Sequence, residues 1–243
     1  MTLRCPEAFA QAQPGQFVML ASDGDTSPLL RRPFSIHRLI RDSNGDLALS
    51  LLYRVVGPAT AAMARLQPGD KVELLGPLGK GFTLRPTDHR IYIAAGGIGV
   101  APMLFLLETL AATRSLADTE VFLGGRSRDD LLCLDDFARM GVRVRRTTDD
   151  GSDGDQCYLT HPLEDQIRLQ APDVIYACGP PDMLRCVAGF AQHFGIHCQV
   201  AIEALMACGV GACLGCAVAK AEGEGYWHVC QDGPVFDIAR LDL

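Results

Sequence analysis

Cysteines near the carboxyl terminus constrain this chain more than any other feature. Three of them lie within nine residues, in the stretch A-C-G-V-G-A-C-L-G-C, and a fourth follows after thirteen intervening residues. Cys208, Cys213, Cys216 and Cys230 thus have the spacing C-x4-C-x2-C-x13-C. This spacing is typical of plant-type [2Fe–2S] proteins, with three thiolates from one loop and the fourth from a later element. The interleaved glycines permit the left-handed turns that such a loop needs.

Zinc and disulfide bonds are the alternative interpretations of these cysteines. Structural zinc sites usually combine two C-x2-C pairs, or cysteine with histidine. Here there is one such pair, and His228 lies only two residues before Cys230. The chain starts without a secretory signal, which predicts a cytoplasmic protein in which disulfides are rare. A [2Fe–2S] cluster is therefore the favoured interpretation.

Composition and charge exclude several classes of protein. Apolar residues make up 48% of the chain, which is a globular profile rather than a disordered one. The net charge is −7 and no Lys/Arg run stands out, so nucleic acid and anionic membranes are not expected partners. The longest apolar run, near 98–107, is too short to span a bilayer.

The pattern of apolar residues divides the chain into three regions. Residues 1–88 contain short strands separated by Gly and Pro turns, which predicts a small antiparallel barrel with a helix at 59–66. Residues 89–196 alternate strands and helices, which predicts a parallel sheet covered by helices. Residues 197–243 have too few apolar side chains for a large core, so a metal centre would organise them.

Three individual elements are predicted at particular places. A strand is expected over Pro33–Arg41 and another over Leu47–Val56, because both runs are rich in apolar residues. A helix is expected over Asp129–Arg139.

The stretch R-P-F-S suits a flavin. On a strand, Arg32 and Phe34 share one face, where arginine can neutralise a pyrophosphate and the aromatic ring can lie against the flavin. The Ser35 hydroxyl can hydrogen-bond the flavin N5. An ordinary strand with an exposed arginine remains the alternative for this short pattern. Three further stretches support the flavin interpretation. They are Leu52-Tyr53-Arg54, Gly57-Pro58-Ala59-Thr60 at a helix start suited to phosphate, and G-P-L-G-K-G-F at 76–82.

Two glycine-rich turns predict a nucleotide site. The stretch A-A-G-G-I-G-V-A-P follows an apolar strand and opens a helix, but Pro102 stands where the dinucleotide fingerprint has its third glycine. The stretch C-G-P-P at 178–181 ends a later strand in the same way. Ligands of open α/β sheets bind at these strand ends. For the first turn in isolation, a purely steric need for glycine is an equal alternative.

The order of these motifs resembles the ferredoxin–NADP reductase superfamily, and more closely the electron-transfer subunits of dihydroorotate dehydrogenase B. The resemblance lies in R-R-P-F-S-I, L-Y-R-V-V-G, G-P-L-G-K-G-F, A-A-G-G-I-G-V-A-P-M, M-A-C-G-V-G-A-C-L-G-C and V-C-Q-D-G-P-V-F. It implies a multi-domain β plus α/β protein: an FAD-binding antiparallel β-barrel at 1–88, an NAD-binding parallel α/β sheet at 89–196 and a small [2Fe–2S] domain at 197–243. Relatives also have a barrel strand before T-L-R-C-P-E-A-F, which is expected to be missing here.

The same resemblance implies site residues. No residue is implied, or indicated by the sequence, as a catalytic acid, base or nucleophile. Relatives usually carry glycine where this chain has Ala59. The implied FAD contacts are Arg32, Pro33, Phe34, Ser35, Leu52, Tyr53, Arg54, Ala59, Thr60, Gly79 and Gly81; the implied nucleotide contacts are Gly96, Gly97, Gly99, Cys178, Gly179 and Pro180; the implied cluster ligands are Cys208, Cys213, Cys216 and Cys230.

The implied function is electron transfer in pyrimidine biosynthesis. Electrons would pass from an FMN-containing dihydroorotate dehydrogenase partner through the cluster and FAD to NAD⁺, in a heterotetramer of two plus two. One alternative is the small subunit of a ferredoxin–NADP reductase or sulfide dehydrogenase complex, which tends to replace one cluster cysteine by aspartate. Others are an oxygenase or hydrogenase reductase subunit and, from another class, a zinc-bound interaction module.

Overall fold

The computed structural model describes residues 1–22 and 30–242. Its amino-terminal part forms two three-stranded antiparallel sheets that enclose an apolar core. The elements are β1 (Thr2–Arg4), β2 (Phe17–Ser22), β3 (Arg32–Ser35), β4 (Arg38–Arg41), β5 (Leu47–Ser50), α1 (Pro58–Met63) and β6 (Val72–Leu78). The sheet orders are β1-β5-β4 and β3-β2-β6.

The single strand predicted over Pro33–Arg41 is wrong, because the chain changes sheets in its middle. The Ile36 N–H donates to the Gln16 carbonyl beside one sheet, while the His37 N–H donates to Ser50 of the other. The strand predicted over Leu47–Val56 is also too long. It ends at Ser50, after which Leu51 and Tyr53 still pack in the barrel core while Leu52 packs against the core of the parallel sheet.

The middle of the chain forms the predicted parallel sheet. Its elements are β7 (Ile91–Gly96), α2 (Ala101–Ala111), β8 (Thr119–Gly125), α3 (Leu134–Arg139), β9 (Arg143–Thr148), α4 (Thr160–Leu169), β10 (Val174–Cys178), α5 (Pro181–Phe194) and β11 (His197–Ala201). The helix predicted over Asp129–Arg139 is interrupted. A 3-10 turn at Arg128–Asp130 precedes α3, and Cys133, at φ 65°, separates the two.

The carboxyl-terminal part returns to this sheet. It contains β12 (Ala217–Ala219), β13 (Tyr226–His228), α6 (Val229–Asp232) and β14 (Val235–Asp237). Strand β14 pairs antiparallel with β11, giving the six-stranded order β14-β11-β10-β7-β8-β9. The cysteine segment therefore lies between two strands of one sheet, and the predicted boundary at 196/197 falls inside that sheet.

Helix α2 joins the barrel to the parallel sheet. Its Phe105 is buried in the barrel core beside Ile36 and Leu49. Ion pairs reinforce this contact: Arg38 of β4 reaches Glu108 of α2 at 2.5 Å, and Arg54 pairs with Asp130. The glycine-rich turn before α2 is thereby held beside the barrel. Among the described residues, no helix is long and apolar enough to cross a membrane.

Candidate functional site

The four cysteines approach one another, although they come from separate parts of the segment. The Cys213 N–H donates to the Cys208 sulfur at 3.4 Å, and the Cys230 N–H donates to the Cys216 sulfur at 3.4 Å. The Gly211 N–H donates to the Cys230 sulfur at 3.2 Å and so connects the two pairs. Cys216 and Cys230 are buried, whereas Cys213 is exposed. These bonds therefore link the four residues to one another, with Cys213 at the exposed position.

The surroundings of these thiols suit an iron–sulfur cluster. Backbone N–H groups of Cys213 and Val210 lower the pKa of Cys208 to about 6, which favours a thiolate ligand. Burial and the adjacent Cys216 thiol raise the pKa of Cys230 to about 12, so a bound metal centre would have to displace its proton. N–H···S hydrogen bonds are the contacts by which proteins tune bound clusters.

A binding site for a single metal ion would require a tighter grouping of side chains than the four cysteines show. Within residues 1–22 and 30–242, no three His, Cys, Asp or Glu side chains are gathered closely enough to hold a single metal ion. The cysteines of this chain are joined through backbone amides rather than drawn together around a point.

The cysteine loop lies directly on the barrel. Gly209 has φ +73°, and a Cβ there would stand 2.5 Å from the Cγ of Met19 on β2. Met19 pairs in register with Pro33 of β3. The cysteine loop is therefore one strand away from the R-P-F-S stretch.

The structure brings the first two predicted flavin segments together. The rings of Phe34 and Tyr53 meet edge to face with centroids 5.8 Å apart, and Arg32–Ser35 are all half-buried. The Thr60 hydroxyl accepts from the Val56 and Gly57 N–H groups before α1, at 2.9 and 3.1 Å. Phe34 and Tyr53 are thus neighbours, and the Thr60 bonds fix the turn that opens α1.

Gly79 and Gly81 lie in a different place. A Cβ on Gly79 would be 2.5 Å from the Gly233 carbonyl oxygen, and one on Gly81 would be 2.4 Å from that of Pro14. The loop after β6 therefore needs glycine at both positions, because its backbone passes close to the Gly233 and Pro14 carbonyl groups. Contact of either glycine with FAD stays a prediction.

The two glycine-rich turns touch each other. Strands β7 and β10 are parallel neighbours, with Ala95 paired to Cys178. A Cβ on Gly99 would lie 2.3 Å from the Cys178 carbonyl oxygen, and one on Gly96 would lie 2.7 Å from the Pro180 ring. The close approach leaves the backbone of both turns at the carboxyl edge of the sheet, where such sheets bind nucleotides.

Sequence reasoning missed Glu203, which follows β11 at the same edge. Burial, together with the nearby Glu203 carboxylate, raises the pKa of the Cys178 thiol to about 12. Cys178 is therefore a neutral thiol facing an acidic group at the edge of the nucleotide turns. A single glutamate carries no motif, so only the pairing of β10 with β11 reveals it.

Two family models match the chain. Residues 203–242 match the iron-sulfur cluster binding domain of dihydroorotate dehydrogenase B. Residues 93–189 match the oxidoreductase NAD-binding domain. These ranges contain all four cysteines and both glycine-rich turns.

Curated relatives match over almost the full length. The chain is 38% identical over 239 residues to the dihydroorotate dehydrogenase B (NAD(+)) electron transfer subunit of Desulforamulus reducens, covering 97% of this chain and 89% of that protein. It is 38% identical over 234 residues to the subunit of the same name from Geobacillus kaustophilus, covering 95% and 87%.

Solved structures share the fold. An NADH-dependent reduced ferredoxin-NADP oxidoreductase has a TM-score of 0.81 at 24% identity, covering 99% of this chain and 83% of that chain. A ferredoxin NADP+ reductase from Neisseria gonorrhoeae, with bound FAD and NADP, has a TM-score of 0.62 at 20% identity, covering 80% and 84%. The barrel, parallel sheet and carboxyl-terminal segment therefore form a known arrangement.

Proposed function

This chain belongs to the family of electron-transfer subunits of dihydroorotate dehydrogenase B, and from that membership we propose how its residues divide the work. It is a flavin and iron–sulfur oxidoreductase that passes electrons to NAD⁺ in pyrimidine biosynthesis, with FAD, an iron–sulfur cluster and NAD. FAD exchanges two electrons with NAD and one with a cluster, so it belongs between them. The family's names also imply a catalytic partner subunit.

The observation that carries the proposal is the adjacency of the three predicted sites. The cysteine loop touches β2 through Gly209, β2 pairs with the R-P-F-S strand, and α2 holds the nucleotide turn against the barrel through Phe105. Each site thus shares an element with the next. This is the order that a two-electron carrier and a one-electron carrier require.

We assign roles on that basis. Arg32 neutralises the FAD pyrophosphate, Phe34 and Tyr53 supply an apolar wall for the ring, and Ser35 hydrogen-bonds the flavin. The other residues predicted for FAD complete that surface, apart from Gly79 and Gly81, which would approach FAD from the loop after β6. Gly96, Gly97, Gly99, Cys178, Gly179 and Pro180 accommodate the nicotinamide nucleotide, and Cys208, Cys213, Cys216 and Cys230 ligate the cluster.

Replacing Gly209 by alanine is expected to lift the cysteine loop from the barrel. The φ of +73° and the 2.5 Å approach to Met19 both oppose a side chain there. Such backbone strain costs about 1–3 kcal/mol. The unfolding midpoint should fall, and electrons from NADH should reach the iron more slowly.

Gly215→Ala is the matched control within the same loop. A Cβ at Gly215 would meet only the Cys213 sulfur, at an ordinary 3.7 Å. Equal effects of the two substitutions on stability and on reduction of the iron would refute the special role of the Gly209 contact.

The partner is an FMN-containing dihydroorotate-oxidising subunit, assembled two plus two, and it docks over the cysteine loop. Leu205 is 91% exposed, Leu214 57% and Val210 46%, so the segment 205–214 that contains the exposed Cys213 also carries three exposed apolar side chains. Leu214 also has a φ of 59°, a left-handed backbone conformation that is unfavourable for leucine, in the turn before Cys216. Exposed apolar residues grouped in this way typically mark a protein interface.

Leu214→Asp is expected to weaken binding of the catalytic subunit by about tenfold or more, the scale of a buried anchor. Aspartate tolerates the left-handed conformation, so the loop itself should fold. Leu169→Asp, at another exposed leucine, on α4, is the control. If both variants bind the partner equally well, the docking surface lies elsewhere.

Co-purification with the catalytic subunit tests the proposed function. Dihydroorotate-dependent NAD⁺ reduction should require both proteins, and the complex should contain FMN in addition to FAD. A complex that forms and reduces NAD⁺ without FMN would refute the partner assignment. A chain that contains zinc and no flavin would refute the electron-transfer function.

A further inference from the structure

His37 connects the flavin strand to the start of the nucleotide helix. It lies two residues after Ser35, at the corner between β3 and β4, and its surface is only 8% exposed. Its Nδ1 is 2.7 Å from the carbonyl oxygen of Ala101, where α2 begins. Its Nε2 is 4.0 Å from the Cys133 sulfur. A carbonyl only accepts, so Nδ1 carries the proton and Nε2 is the acceptor for the thiol.

The His37–Cys133 pair is unsuited to nucleophilic chemistry. Burial lowers the pKa of His37, and burial raises the pKa of Cys133 to about 11. Both groups are therefore neutral near pH 7, unlike the charged pair of an activated cysteine. The role left for His37 is structural: its hydrogen bond to Ala101 joins the barrel to helix α2 in a defined direction.

Both ends of that contact are fixed. On the barrel side, backbone hydrogen bonds from Ile36 and His37 tie the corner to both sheets. On the other side, Ala101 directly follows the turn that contains Gly96–Gly99. One turn further along α2, Phe105 enters the barrel core. Apolar packing of this kind is non-directional, whereas a hydrogen bond has a preferred distance and angle.

We propose that His37 is a positioning residue that sets where the nucleotide turn lies relative to the flavin strand, through its Nδ1–H···O bond to Ala101. This inference rests on the proposed function, because it takes FAD to lie at β3 and NAD at the turn before α2. A hydride passes between NADH and the flavin, and His37 exchanges no proton in that step. Its contribution is the distance over which the hydride moves.

Two substitutions distinguish the roles of the two ring nitrogens of His37. In His37→Asn, the side-chain amide can take the place of Nδ1 and donate to Ala101. In His37→Gln, the amide can take the place of Nε2, which keeps the contact with Cys133 and abandons Ala101. Arg41→Gln is the control on the neighbouring strand end, since Arg41 pairs with Glu7 within the barrel.

The experiment combines anaerobic stopped-flow reduction by NADH with amide hydrogen exchange on the chain without added nucleotide. His37→Gln should slow flavin reduction by NADH about tenfold. This loss in rate lies between that expected from losing one neutral hydrogen bond and the roughly hundredfold loss caused by misplacing the reactants by about 1 Å. Amides at the start of α2 should exchange faster, and the NADH dissociation constant should change less than about threefold. His37→Asn and Arg41→Gln should stay near wild type in every measurement.

Three outcomes would overturn the proposal. The first is a His37→Gln variant with wild-type rates of flavin reduction and amide exchange. The second is an equal loss of flavin-reduction rate in His37→Asn and His37→Gln, and the third is a loss of rate that follows only the fall in the unfolding midpoint. A wild-type protein that binds no FAD, or whose flavin NADH does not reduce, would instead refute the proposed function. The two failures are therefore distinguishable within one data set.

Discussion

Replacing Cys230 by serine is expected to leave the protein with almost no iron, whereas the unaltered chain should carry about two iron atoms and as many labile sulfides. Cys230 is buried, and its sulfur accepts the Gly211 N–H that connects the two cysteine pairs. A serine hydroxyl is a hard ligand that stays protonated at neutral pH, so it does not replace a thiolate. Dihydroorotate-dependent NAD⁺ reduction by the complex should fall by at least about a hundredfold.

The flavin reaction should survive this change. The R-P-F-S strand and the nucleotide turns lie outside the cysteine segment, so NADH should still reduce FAD and an artificial acceptor. Cys186→Ser is the matched control, because Cys186 is an exposed cysteine on α5. A Cys230→Ser protein that retains iron and labile sulfide at wild-type levels would show that Cys230 is not a ligand.

Gly99→Ala is expected to weaken NADH binding by about tenfold to a hundredfold, the equivalent of the roughly 1–3 kcal/mol that overpacking costs. The new Cβ would lie 2.3 Å from the Cys178 carbonyl oxygen and 2.6 Å from its carbonyl carbon. Both are backbone atoms of β10, so the two glycine-rich turns must separate. FAD and iron contents should be unchanged, and isothermal titration with NADH measures the effect.

Gly189→Ala provides the comparison. Gly189 lies within α5, and a Cβ there would meet nothing within 4 Å. Alanine in a helix interior is favoured over glycine by about 0.5–1 kcal/mol, so this variant should be slightly more stable and bind NADH normally. Wild-type NADH affinity in Gly99→Ala would mean that the paired turns do not form the nucleotide site.

Much of the fold follows from local patterns in the sequence. Alternating strands and helices predict the parallel sheet, because each buried strand needs a helix to return the chain to the same edge. The spacing of the four cysteines predicts that they ligate one iron–sulfur cluster, because three thiolates from one loop and a fourth from a later element can surround it. The rings of Phe34 and Tyr53 meet in the structure, and their contact with FAD stays a prediction.

The remainder depends on contacts between distant parts of the chain. Nothing in R-P-F-S-I-H-R shows that Ile36 and His37 bond to different sheets, so the sequence predicts one strand where two exist. Glu203 and His37 carry no motif, and they reach the nucleotide turns only through strand pairing and domain contact. Likewise, β14 joins the sheet from beyond the cysteines, which no local pattern at 197–243 indicates.

Anaerobic reduction by NADH, followed together by visible absorption and electron paramagnetic resonance, tests the central claim most directly. The claim is that electrons move between NAD and the iron through a flavin held in the barrel. The account predicts that NADH bleaches the flavin first and that a signal from reduced iron then appears in the same sample. Bleached flavin beside iron that dithionite reduces but NADH never does would contradict it.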